Sequence, residues 1–125
     1  MATTKEIGDI GESAAVKILK RNGYKIVARN KRFSHNEIDI IAEDESYIAF
    51  VEVKTRTADS TLDSPYGPPS AAVTRAKQTR LIKAAQEYLK KYPTGKQPRM
   101  DVFEIWLDKN KKVLKTHHIL NAYGK

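Results

Sequence analysis

Glu37-Ile38-Asp39-Ile40-Ile41-Ala42 and Phe50-Val51-Glu52-Val53-Lys54 are the two segments on which the reading of this chain turns. Each is rich in the branched and aromatic residues that suit a pleated sheet, and the acidic turn Glu43-Asp44-Glu45-Ser46 separates them. Strands at 37–42 and 47–55 this close together predict an antiparallel hairpin. Alternation puts Glu37 and Asp39 on one face of the first strand, and Glu52 and Lys54 on one face of the second. The run Tyr47-Ile48-Ala49-Phe50-Val51 is apolar on both faces, as a central strand is, yet two charges follow it on one face. A buried carboxylate or ammonium is costly unless it is paired or bound to a metal. Two accounts meet that demand. One is a salt bridge, Glu52–Lys54 or Asp39–Lys54, at the end of the sheet. The other uses all three charges: Asp39 and Glu52 as hard oxygen ligands of Mg²⁺ or Mn²⁺, and Lys54 to hold or deprotonate an attacking water and stabilise charge on a phosphate.

Upstream, Thr3 or Thr4 can cap a helix beginning near Lys5, with Ile7, Ile10, Ala14, Ala15, Ile18 and Leu19 as its apolar stripe. Asn22-Gly23 ends it, and 24–30 reads as a short strand followed by a polar turn over 31–36. Downstream, the stretch 57–70 holds Pro65, Gly67, Pro68 and Pro69 and is a loop, with Tyr66 a candidate to stack on a base. A second helix is predicted over 71–92, stopped by Pro93-Thr94-Gly95, with Leu81, Ile82, Ala85, Tyr88 and Leu89 on one face. Strands at 100–107 and 113–120 around the turn Asp108-Lys109-Asn110 complete the order α-β-β-β-α-β-β. This is a single mixed α/β domain over 1–125 with one central sheet.

At 125 residues the chain is long enough for one core, and with no cysteine neither disulfides nor thiolate zinc sites can hold it. No secretory signal opens the sequence, and no stretch approaches the roughly 20 apolar residues that cross a bilayer. The expectation is a protein of the cytoplasm with no membrane partner. The net charge of +8 is uneven: residues 1–74 carry 10 Lys/Arg against 11 Asp/Glu, whereas 75–125 carry 13 against 4. A basic half attracts polyanions, so nucleic acid is the first partner to consider; a solvated lysine-rich surface explains the same charge. Arg56, Arg75, Lys77 and Arg80 are the candidates to meet phosphates. Gln78 falls on the inward stripe of the second helix and needs hydrogen-bond partners there. His35, His117 and His118 read as structural or surface residues, since adjacent strand histidines face opposite ways.

Asp39 with Glu52-Val53-Lys54 resembles the PD-(D/E)xK nuclease superfamily, although Ile38 stands where the naming proline would be. Gly11-Glu12, Gly23-Tyr24, Arg29-Asn30, Lys77-Gln78 and Arg99-Met100-Asp101-Val102 occur in order around that motif. Together they look like the YraN family of small bacterial endonuclease-like proteins, related to archaeal Holliday-junction resolvases; Asn36 departs from the glycine usual before Glu-Ile-Asp. The resemblance implies a restriction endonuclease-like α-β-β-β-α-β core, a mixed sheet flanked by helices. It implies a divalent-metal-dependent endonuclease acting on DNA rather than RNA, on branched or structured DNA, as a homodimer in relatives that cut junctions. It also implies that Glu12 reaches the metal site, against an ordinary boundary glutamate, and that Gln78 orients the lysine or a water, against a glutamine satisfied by backbone. A non-catalytic nucleic-acid-binding module on the same fold, and an RNA-processing nuclease, are the rival expectations.

Overall fold

The computed structural model describes residues 3–33, 35–57 and 73–124. Tyr66 and residues 58–70 of the expected loop lie outside them. Seven elements follow one another: α1 (Thr4–Arg21), β1 (Lys25–Phe33), β2 (Asn36–Glu43), β3 (Tyr47–Thr57), α2 (Arg75–Lys91), β4 (Gln97–Leu107) and β5 (Val113–Tyr123). The strands form one sheet in the order β1-β2-β3-β4-β5. Every neighbouring pair is antiparallel except β3–β4, which is parallel because α2 carries the chain back across the sheet.

α1 starts in a capping box: the Thr3 hydroxyl accepts from Glu6 N while the Glu6 carboxylate accepts from Thr3 N. It ends at Gly23, whose φ of +92° is the left-handed turn that favours glycine. α2 is capped by Thr74, which accepts from Lys77 N, so the helix starts at Arg75 and not at the expected 71. The expected turn over 31–36 is also corrected. β1 runs on to Phe33 and pairs Phe33 with Asn36, because Phe33 packs edge-on against Tyr88 at 5.6 Å between ring centres and holds the polar strand end down.

The helices cover opposite faces of the sheet. Ala15, Val16 and Leu19 of α1 pack on Ile40, Ala42, Ala49, Val51, Phe103 and Ile105. Leu81, Ala84, Ala85 and Tyr88 of α2 pack on Ile41, Ile48, Phe50, Met100 and Val102. Among the described residues no helix is long and apolar enough to cross a membrane.

One close approach sets how α1 lies on the sheet. A Cβ added at Gly11 would overlap the Thr55 side chain on β3. Gly11→Ala is therefore expected to destabilise the protein by about 1–3 kcal/mol through overpacking, more than offsetting the roughly 1 kcal/mol that alanine gains over glycine inside a helix. Urea denaturation checks this. The midpoint should fall for Gly11→Ala and recover in part when Thr55→Ala is added; an unchanged midpoint would refute the contact.

Candidate active site

The site lies where the two middle strands part. The β2–β3 ladder ends at Ile40 opposite Val51, while β2 stays paired with β1 as far as Asn36 and β3 with β4 as far as Thr57. Beyond the fork the backbone N–H of Val53 has lost its cross-strand acceptor, and the Asp39 carboxylate takes its place, with Oδ2 accepting from Val53 N at 2.8 Å. Glu52, next along β3, is only 6% exposed. The two expected ligands are thus brought together at the fork.

Their proximity acts on Asp39. Burial, and after it the charge of Glu52, push the Asp39 carboxyl up from 3.8 to about 8, against the lowering effect of the Val53 N–H. A protonated Asp39 can share its proton with Glu52. Glu52 Oε1 accepts from Lys77 Nζ of α2 at 3.2 Å, whereas Glu52 Oε2 is buried with no donor among the described residues. The Tyr123 hydroxyl is also buried with no partner among the described residues, and Tyr123 lines a small cavity with Ile38, Asp39 and Glu52. Burial, then the charge of Glu52, holds its ionisation well above the usual tyrosine range.

Lys54 shares the α2 side of β3 with Glu52 by alternation. It is half-buried and makes no hydrogen bond or ion pair with a described residue. Neither salt bridge that the sequence allowed for it is formed. Arg56, two residues on, donates from Nε to Glu104 Oε2 at 2.9 Å and is largely buried. Its guanidinium is turned into the protein. Arg75 and Arg80 are exposed on α2.

Glu12 comes from α1 on the opposite face. It is buried at 7% and lines an open cleft of about 420 Å³ that Asp39 also lines, together with Asp9 and Glu37. Its Oε1 accepts from Arg29 Nε at 3.0 Å and from Asn30 Nδ2 at 3.2 Å. Among the described residues no three His, Cys, Asp or Glu side chains converge as a metal cage, so Glu12 does not complete a triad with Asp39 and Glu52. It adds negative potential to the cleft instead. Gln78 is half-buried, and its Nε2 donates to Val73 O at 2.9 Å. That bond secures the approach to α2 and is the backbone-satisfied arrangement.

A hard divalent cation fits what is present. Mg²⁺ is commonly held by one or two carboxylates, with waters and phosphate completing the shell. Asp39 and Glu52 supply two, and Oε2 of Glu52 accepts from no donor among the described residues.

Three sets of contacts are not legible in the sequence. Lys77, a candidate to meet phosphates, is the partner of Glu52. Arg29 and Asn30 clamp Glu12, and Asn30 sits at φ +50°, a conformation asparagine tolerates. Glu104 and Asp101 are buried acids on β4, charged within the apolar run 100–107.

A mixed five-stranded sheet between two helices, with paired acids where its central strands fork, defines the class: a small α/β domain with an acidic site on the sheet. The chain belongs to the Uncharacterised protein family UPF0102, whose model matches residues 11–105 and which is the YraN family that the sequence resembles. A UPF0102 protein of Caldanaerobacter subterraneus is 42% identical, over 95% of each chain. One from Symbiobacterium thermophilum is 45% identical over 82% of this chain and 83% of its own. One from Dictyoglomus thermophilum is 40% identical over 95% of this chain and 98% of its own.

Proposed function

We propose that this protein is a divalent-metal-dependent nuclease that hydrolyses phosphodiester bonds in DNA, with branched or structured DNA as the preferred substrate. The observation that carries the reading is the Asp39–Glu52 pair at the fork, buried together with an oxygen that has no donor among the described residues, beside a Lys54 that no described residue pairs. A salt bridge from Lys54 to Glu52 or Asp39 would have committed these charges to one another; among the described residues neither forms, and Glu52 is paired with Lys77 through one oxygen only.

Asp39 and Glu52 would hold Mg²⁺ or Mn²⁺, and a cation there supplies a water of lowered pKa and neutralises charge on the scissile phosphate. The remaining work falls to the chain itself. Asp39 must give up its proton before it can act as a ligand, so ligation favours the ionised form. Lys54 contributes an ammonium not committed elsewhere in the described residues, able to stabilise the charge that grows on phosphate oxygens. Arg75 and Arg80, exposed on α2 within the half of the chain carrying 13 Lys/Arg against 4 Asp/Glu, would hold the phosphate backbone in register. Incisions on two strands of a junction need two sites, hence two copies of the chain.

The test is cleavage of matched four-way junction, linear duplex DNA and structured RNA with Mn²⁺, alongside Lys54→Ala. Cleavage of the junction in preference to the others, with at least about a hundredfold loss in Lys54→Ala, is expected for removal of one electrostatic stabiliser. Preference for RNA would move the substrate class. Binding without cleavage of any substrate would leave a nucleic-acid-binding module on this fold.

A further inference from the structure

The ion pair between Lys77 and Glu52 is at odds with a site that takes a cation, and the conflict points to a use for it. Glu52 is 6% exposed, and its ion-pair partner among the described residues is the Lys77 ammonium, 3.2 Å from Oε1. A divalent ion held by Asp39 and Glu52 would need lone pairs of the same carboxylate and would stand within a few ångströms of a like charge. In a partly desolvated site that repulsion is strong. The two cations are therefore antagonists for Glu52. Lys77 also has a way out. Its side chain is 38% exposed, it belongs to the first turn of α2, and a lysine stem reorients readily while keeping its head in water. The exposed Arg75 and Arg80 stand on the same helix.

We propose that Lys77 is an internal counter-ion that occupies the carboxylate pair when no divalent cation is bound, and that the cation displaces it towards solvent. The inference rests on the nuclease reading above and adds a device to it. Lys77 holds the acidic pair together in the metal-free protein, at the expense of metal affinity. Once expelled, it adds a positive charge to the solvent at the start of α2, the helix that also carries the exposed Arg75 and Arg80. Metal loading and grip on a polyanion then reinforce each other, and by linkage the coupling runs in both directions.

Mn²⁺ binding to the full chain without nucleic acid, followed by calorimetry, tests this with Lys77→Met, which keeps the stem and removes the charge. Removing one adjacent like charge is expected to tighten Mn²⁺ binding roughly tenfold, with Lys77→Arg returning it towards the wild-type value. Tightening, or binding that appears only in Lys77→Met, supports the inference. Equal or weaker binding in a folded Lys77→Met protein overturns it while leaving the nuclease reading standing. No Mn²⁺ binding by either protein overturns both. Reductive methylation of the wild-type protein gives a second measurement that needs no variant. Lys77 should be modified several-fold faster with saturating Mg²⁺ than without it, and an unchanged rate overturns the counter-ion role.

Discussion

Asp39→Asn is expected to abolish cleavage while making the metal-free protein more stable at alkaline pH. On the proposed nuclease reading, Asp39 would be one of two carboxylate ligands, and its loss would remove charge stabilisation of several kcal/mol, so at least about a thousandfold loss in rate is expected. The stability effect has the opposite sign and follows from the same geometry. Asp39 is pushed up to about 8 in the folded protein, chiefly by burial and then by Glu52, against 3.8 as its ordinary value. Below about pH 4 the carboxyl is protonated in both folded and unfolded chains and contributes nothing. Between pH 4 and 8 the folded chain keeps a proton that the unfolded chain releases, so stability falls as pH rises across that window. Above pH 8 the penalty is complete. Asparagine retains an acceptor for the Val53 N–H and has no proton to lose, so the penalty is absent in the variant. The Lys77 ammonium beside Glu52 offsets part of the repulsion in the wild type. The expected gain is about 1–3 kcal/mol above pH 8, vanishing near pH 4. Urea denaturation at the two pH values measures it. Equal stability at both, or cleavage that survives the substitution, would show that the two carboxyls do not share one buried site.

The same residues show what a sequence can and cannot convey. Alternation in 37–42 and 47–55 was enough to find the β2–β3 hairpin, because its register is set by local pattern and a short turn. It also put Glu52 and Lys54 on one face. What local pattern does not encode is which residue of a helix overhangs a given point of the sheet. Lys77 meets Glu52 across 25 positions of sequence because α2 crosses the sheet where it does, and helical phase leaves that crossing open. Glu12 is similar: its place at the edge of the α1 stripe was readable, its clamp by Arg29 and Asn30 was not, since that depends on an irregular β1 with a register shift between Ile26 and Ala28. Polar composition misled at 31–36, where one aromatic residue, Phe33, outweighs its charged neighbours in holding a strand to the core. Alternation predicts that the histidine pair faces opposite ways, and it does: His117 is exposed, while His118 stacks on Phe103 at 4.7 Å and joins the buried network around Asp101.

That network should give the largest stability effect of any single substitution in the described residues outside the acidic site. Asp101 is fully buried on β4. Its Oδ1 accepts from Arg99 Nε and Asn121 N, both at 2.9 Å, and its Oδ2 from Arg99 Nη2 at 2.9 Å and His118 Nε2 at 2.8 Å. Arg99 in turn donates to the Tyr24 hydroxyl at 2.7 Å and lies between the Tyr24 and Tyr47 rings. Burial by itself would push the Asp101 carboxyl up; hydrogen bonds from His118, Arg99 and the Asn121 N–H outweigh it and hold the group below the usual carboxylate range. Asp101→Ala leaves a buried guanidinium, an imidazole and a backbone N–H without their acceptor, and a loss of about 3–5 kcal/mol is expected. For a domain whose total stability is on the order of 5–15 kcal/mol, that is enough to bring it close to unfolding at ambient temperature. The pH dependence is opposite to that of Asp39. A depressed folded pKa contributes stability that is present above the ordinary value of 3.8 and lost as pH falls through the folded value, so wild type and Asp101→Ala should converge in acid. The double variant Arg99→Met/Asp101→Leu removes the charged pair together and should be markedly more stable than Asp101→Ala, because no guanidinium is then left buried and unpaired. Denaturant midpoints for the three proteins at neutral pH and near pH 3 decide the matter. If Asp101→Ala keeps the wild-type midpoint, or the double variant is no better than the single one, then the four-sided hydrogen bonding of Asp101 does not anchor β5 and Tyr24 to the sheet.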